Sequence, residues 1–288
     1  MSATTLFVAS FIAFVFSYYG YRKNTLAFSG AVMAFLCGTT VFSTNPRFGV
    51  TMIVVFLAVH FASKLDQTRK AREVEEISHG RNWMQILCTN LTAVIASVLY
   101  YLFFGDELMT IFPRYLGDLR MARLSAYLQG LYLGHFSCAA ADTFGSEIGV
   151  LASGFPRLSL PPFPRVPPGT NGGMTLVGTI SGVFGAILVG ISHVMLTVFL
   201  RGLPTGFEMA YVILSCAVAG TLGSIIDSVL GASLQFSGWD PSRGQVVNNP
   251  GAGVAHISGR HVLTNPQVNF ISSLATGLLL GAHWATLQ

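Results

Sequence analysis

The chain has 288 residues, 52% of them hydrophobic and only 10% charged, and its mean hydropathy is +0.60. That balance is too apolar and too poor in charge for a soluble domain of this length, and it predicts a polytopic membrane protein. The net charge of +4 is small, and the basic residues sit in the connections between apolar runs, so no nucleic-acid-binding patch is expected.

Uncharged runs long enough to cross a roughly 30 Å hydrocarbon core as helix fall near residues 2–21, 26–43, 48–63, 83–104, 124–141, 173–200, 210–235 and 268–287. They predict an all-α, polytopic transmembrane helix bundle of about eight spans, because backbone groups find no water in lipid and the runs are too long for barrel strands. The expected organisation is N-terminal transmembrane helices over 1–63, a charged cytosolic connection over 64–82 and a catalytic transmembrane domain over 83–288. Arg22 and Lys23 follow the first span, Lys64, Arg69, Lys70, Arg72 and Arg81 the third, Arg157 and Arg165 the fifth, and Arg243 and Arg260 the seventh. These connections are expected to face the cytosol, with both termini on the far side. The first span has no basic residue before it and no obvious cleavage site after it, so it reads as a retained anchor.

The first three spans carry few polar residues and nothing poised for chemistry. The following connection, KLDQTRKAREVEEISHGR, is rich in helix formers and reads as a short interfacial or cytosolic helix. Next, GRNWMQILCTN carries Arg81, Asn82, Gln85 and Asn90 into the fourth span. The fifth span ends in FSCAAADTFGSEIGVL. Asp142 and Glu147 near a membrane helix end must be paired, solvated or holding a cation, since a lone carboxylate is costly in a low-dielectric surround. Helical spacing puts His135, Cys138 and Asp142 on one face, with Ser146 a turn beyond. His135 suits either a packing role or acid–base work, and His60, His193 and His283 read as structural. Cys37, Cys88, Cys138 and Cys216 lie in apolar spans without paired spacing and read as reduced packing residues.

In PPGTNGGMTL, Asn171, Gly172 and Gly173 form a glycine-rich loop before an apolar run, a helix start whose free amides would suit phosphate oxygens. Gly130 with Gly134 and Gly178 with Gly182 form GxxxG pairs, which close helix packing explains. On the seventh span, Asp227 stacks with Gly220, Gly223, Ser224 and Gly231; Asn265 and Asn269 open the eighth. A weak internal repeat in the second half pairs Asp142 with Asn171 and Asp227 with Asn265, as duplicated units sharing one site would. The oxygen-only set Asp142, Glu147, Asp227, Asn171, Asn265 and Asn269 suits Mg²⁺ completed by substrate phosphates. No GxSxG elbow and no Walker loop is present.

GRNWMQILCTN, AADTFGSEIGVL, VPPGTNGGMTLVGT, GSIIDSVLGASLQ and VLTNPQVNFISS together resemble the transmembrane protein 19 family, which includes the plant phytyl-phosphate kinase. The match spans roughly residues 81–273 and is closer to the animal and fungal type than to the plant kinase. The resemblance implies a membrane lipid kinase that passes a phosphoryl group from CTP, or another nucleoside triphosphate, to an isoprenyl monophosphate. It further implies Arg81, Asn82, Gln85 and Asn90 near the phosphates, Asp142 and Glu147 on Mg²⁺, and Asn171, Gly172 and Gly173 around the nucleotide. Asp227, a third metal ligand, and Asn269 would lie across the site, and Asn265 is a further substrate- or nucleotide-binding candidate. Pro266 departs from the motif, where a second polar residue is expected.

A cation-coupled lipid or solute transporter, a CDP-lipid-forming cytidylyltransferase and a non-catalytic scaffold are the competing readings. The expected partners are the bilayer and a lipid substrate, with a homo-oligomer left open. The endoplasmic reticulum is the default membrane, and a plastid envelope is the alternative for a photosynthetic source.

Overall fold

Side-chain caps set where several helices begin. Ser2 accepts the amide of Thr5 (3.0 Å) to open α1, Ala3–Arg22, and Asn45 accepts that of Arg47 (3.0 Å) ahead of Pro46 to open α3, Pro46–Ser63. Such groups satisfy amides that have no partner inside the helix. The computed structural model describes residues 2–65, 80–105, 118–201 and 205–288. Between α1 and α3 lies α2, Phe28–Thr44, and the later helices are α4, Trp83–Cys88; α5, Leu91–Phe104; α6, Leu119–Gly149; α7, Leu176–Arg201; α8, Gly206–Leu234; and α9, Asn265–Thr286. Residues 66–79, the middle of the charged connection read as a helix, lie outside the described part.

Helices α1, α3, α7 and α8 are long and apolar enough to cross a membrane, and α2 and α5 are shorter apolar helices. The expected fourth span is broken into α4 and α5. Asn90 donates through Nδ2 to the carbonyl of Ile86 (2.8 Å) and to Thr89 Oγ1 (3.1 Å), a local alternative to the helical ladder. The freed carbonyl of Thr89 accepts Nε2–H of His135 at 2.8 Å, as a broken helix inside a bundle requires. His135 is thus a staple across the break. The other histidines read as structural pack on rings: His60 against Tyr19 and Phe56, His193 against Phe48, while His283 meets the hydroxyl of Tyr211.

The all-α reading holds for the bundle, whereas the two connections of the second half contain small sheets. Between α6 and α7, β1 (Arg157–Leu158) pairs antiparallel with β2 (Gly173–Met174). Between α8 and α9, β3 (Ser237–Asp240) lies between β4 (Gln245–Val247) and β5 (Ala255–Ser258). These strands are too short for a periodic signal to stand out among prolines and glycines.

Glycine faces set the helix packing. On α6, a Cβ at Gly130 would lie 2.7 Å from Gly281 Cα and one at Gly134 2.8 Å from the Thr276 carbonyl, so α6 and α9 run antiparallel in backbone contact. Another face of α6 meets α7, where a Cβ at Gly178 would lie 2.7 Å from the Gly145 carbonyl and one at Gly182 2.8 Å from the Ala141 carbonyl. The GxxxG pairs therefore serve close packing, as membrane interfaces use small residues. Gly220 and Gly223 of α8 pack on Ser137 and Cys138 of α6, which runs parallel to it. The repeat is accordingly visible as two units, α6–sheet–α7 and α8–sheet–α9, joined through the parallel pair α6 and α8. Farther along the bundle, Phe48, Tyr100 and Tyr132 form a buried aromatic core in which the Tyr132 hydroxyl donates to the Phe48 carbonyl (2.6 Å).

Candidate active site at one end of the bundle

Because α6 and α8 run side by side in the same direction, Asp142 and Asp227, at equivalent places in the two units, meet. Their carboxyl groups stand close enough to act on each other electrostatically. Two carboxylates this close repel unless a proton or a cation lies between them. Ser272 of α9 donates through Oγ to Asp227 Oδ2 at 2.7 Å, although carbonyls of Val268 (3.0 Å) and Asn269 (3.2 Å) are alternative acceptors.

Arg81, from the segment before α4, reaches Asp142 of this pair and Glu147 beside it. Its guanidinium interacts electrostatically with Glu147 and Asp142. Burial draws its pKa down from the ordinary value, and the two carboxylates act in the opposite direction. Glu147 therefore stands at the rim of the group, within reach of both Arg81 and Asp142. Among the described residues no group of three or more His, Cys, Asp or Glu side chains could hold a metal by itself. The donor set that is present, two neighbouring carboxylates and a serine hydroxyl, still fits Mg²⁺, which commonly takes one or two carboxylates and completes its shell with water and phosphate oxygens. Asn269 contributes a buried side-chain oxygen, Oδ1, that has no hydrogen-bond partner among the described residues.

The remaining expected site residues are engaged within the protein. Asn82 and Gln85 form a reciprocal capping box at the start of α4, with Asn82 Oδ1 accepting from the Gln85 amide (3.1 Å) and Gln85 Oε1 from the Asn82 amide (2.8 Å). Asn90 holds the break between α4 and α5. The amide of Asn171 donates to Ser237 Oγ (3.0 Å) and its side chain to the Phe236 carbonyl and Asn248 Oδ1, both at 3.0 Å. The Gly173 amide donates to the Thr170 carbonyl (2.9 Å), inside a strand and not at a helix start. Gly172 has φ +75°, and an added Cβ would collide with the Ser228 carbonyl of α8, so glycine is required there by both conformation and space. Through Asn171, the loop expected to cradle phosphate with its amides also ties the α6–α7 connection to the sheet after α8. Asn265 opens α9 and accepts from Gln235 Nε2 at 3.5 Å.

Two contributors were not expected from the sequence. One is the polar face of α9: beyond Ser272, both Ser273 and Thr276 face Cys138 of α6. The signal was available, since Asn269, Ser272, Ser273 and Thr276 recur at helical spacing in an otherwise apolar run. The other is the turn between α1 and α2, which carries the backbone of Arg81. If Ser272 orients Asp227, Ser272→Ala should weaken the site by about tenfold or somewhat more, as loss of a residue supporting a metal ligand does. Titrating Mn²⁺ onto purified wild-type and variant protein measures this; equal affinities would remove the role.

The family described as "Integral membrane protein DUF92" matches residues 11–277. Protein PGR of Arabidopsis thaliana is 34% identical over 280 residues, 95% of this chain and 94% of that protein. Protein VTE6, chloroplastic, also from Arabidopsis thaliana, is 27% identical over 237 residues, which are 81% of this chain and 62% of that protein. An uncharacterized membrane protein of Methanocaldococcus jannaschii, MJ0933, is 28% identical over 156 residues, 54% of this chain and 51% of that protein. No solved structure matches the chain.

Proposed function

This chain belongs to the DUF92 family of integral membrane proteins, and from that premise we propose that it is a membrane phosphotransferase, transferring a phosphoryl group from a nucleoside triphosphate, CTP by preference, to an isoprenyl monophosphate. The observation that carries the reading is the proximity of Asp142 and Asp227 beside Arg81 at one end of the bundle. The sequence motifs around these residues resemble those of the phytyl-phosphate kinase family, and the similarity to VTE6 spans 81% of the chain.

Asp142 and Asp227 are the residues that would hold Mg²⁺, with Glu147 at the rim. The cation, when bound, supplies positive charge against the phosphoryl oxygens. Arg81 would add a second positive charge and orient phosphate oxygens through its planar fork of donors. Asn269 Oδ1 offers an acceptor to a donor group on the nucleotide or on a bound water. A lipid monophosphate is already nucleophilic at neutral pH, so the reaction needs positioning and charge neutralisation more than a base. His135 donates Nε2–H to the Thr89 carbonyl, a structural role that is compatible with a reaction needing no base.

The site end of the bundle also carries Arg22, Lys23 and Lys64 at the ends of α1 and α3, which supports a cytosolic active site by the distribution of basic residues. The membrane is proposed to be the endoplasmic reticulum, with a plastid envelope as the alternative.

The test is a product assay with nanodisc-held protein, Mg²⁺, CTP or ATP carrying label at the γ or the α phosphorus, and phytyl, geranylgeranyl or farnesyl monophosphate. Appearance of γ label in a prenyl diphosphate is the expected result. Transfer of α label alone would mean cytidylyl transfer. Binding of prenyl phosphate without any transfer would replace the enzyme by a lipid carrier.

A further inference from the structure

Arg81 is held by its backbone from both sides. Upstream, its amide donates to the Thr25 carbonyl (2.9 Å) and its carbonyl accepts the amide of Ala27 (3.0 Å), so Arg81 and Leu26 form a short parallel bridge. The α1–α2 turn that offers these groups is itself braced: Asn24 has φ +57°, Thr25 Oγ1 donates to the Gly20 carbonyl (3.0 Å), and Leu26 is buried. Two glycines permit the approach. A Cβ on Gly80 would lie 2.7 Å from the carbonyl carbon of Leu26, and a Cβ on Gly30 would fall on the Arg81 carbonyl oxygen itself. Downstream, the reciprocal cap between Asn82 and Gln85 fixes the entry into α4.

We infer that the α1–α2 turn is a positioning element for Arg81, with Gly30 and the Ala27 amide as the residues that set where its guanidinium stands against Asp142 and Glu147. The inference rests on the phosphotransferase reading for its consequence in turnover, though not for its geometry. Arginine has a long side chain, so the placement of its guanidinium depends on a fixed Cα. Displacement of a positioning group by about 1 Å is enough to cost roughly 100-fold in rate. The N-terminal helices, which look inert in sequence, then belong to the site.

Two variants separate this from general packing. Gly30→Ala pushes the Arg81 carbonyl away. Ala27→Pro removes the amide that holds it, at a residue whose φ of −67° a proline ring accepts, so the second variant keeps the fold if the first does not. Each is expected to lower phosphoryl transfer between roughly 10- and 100-fold in the Arg81 protein, and to add less than about twofold to the loss already caused by Arg81→Ala, as coupled sites do. Equal losses in the presence and absence of Arg81, or no loss, would overturn the inference. A second readout is independent of turnover: the rate at which phenylglyoxal modifies Arg81 in the full-length protein, followed by peptide mass spectrometry. Faster modification in both variants than in the wild type supports the placement; identical rates refute it, even where the wild-type protein transfers phosphate normally. If the wild-type protein transfers nothing, the phosphotransferase reading fails and the modification rates still decide the positioning claim.

Discussion

Asp142→Asn is expected to reduce phosphoryl transfer by on the order of 10³-fold, and Asp227→Asn by a similar factor. Stabilisation of developing charge by a bound cation is worth several kcal/mol, and about 1.4 kcal/mol corresponds to tenfold in rate. The substitution keeps the shape of the side chain and removes one of two neighbouring like charges. The fold should therefore be as stable as before, or more so. A buried ion pair with Arg81 that served only structure would behave in the opposite way, because removing its carboxylate leaves a buried cation and costs stability. Measuring γ-label transfer together with the thermal unfolding midpoint distinguishes the two. The double variant should be little worse than either single one, since residues acting on one cation behave as a unit. Transfer within tenfold of wild type in Asp142→Asn would remove this aspartate from the chemistry.

Gly134→Val is expected to have the largest effect on the fold. The new Cβ would stand 2.8 Å from the Thr276 carbonyl and 2.9 Å from Gly277 Cα, and backbone atoms of a packed helix cannot swing aside as a side chain would. Overpacking of this kind costs about 1–3 kcal/mol or more, which should lower the apparent unfolding midpoint by roughly 5 °C. Activity should fall further than stability, because α9 also carries the Ser272 that meets Asp227. Gly206→Ala is the control, since a Cβ there meets nothing among the described residues. A Gly134→Val protein with wild-type midpoint and wild-type turnover would show that α6 and α9 need not approach this closely.

Sequence alone was a good guide to the helix bundle, and a weaker one to everything that depends on long-range contact. Asp142 and Asp227 stand out as charges in apolar surroundings, and that anomaly needs no structure to be seen. Asn171, Gly172 and Gly173 show the limit. Their composition matches a phosphate loop, yet the Asn171 amide and side chain are engaged with Ser237, Phe236 and Asn248, partners more than sixty residues away. The same applies to the capping pair Asn82 and Gln85, whose polar groups satisfy a helix start that the apolar run 83–104 seemed to make unnecessary.

What the sequence by itself determined is the class of the protein: apolar periods of membrane length, small-residue faces for close helix contact, and two aspartates in duplicated surroundings. These are local properties, set by hydropathy and by the volume of single side chains. The tertiary structure decided which polar groups meet. Parallel packing of α6 on α8 turns two separate carboxylates into a pair, the break at Asn90 gives His135 its partner, and the bridge between Leu26 and Arg81 makes a remote turn part of the site. Hydrogen bonds and like-charge contacts act over a few ångströms, so their partners are fixed only once the chain has brought distant segments together.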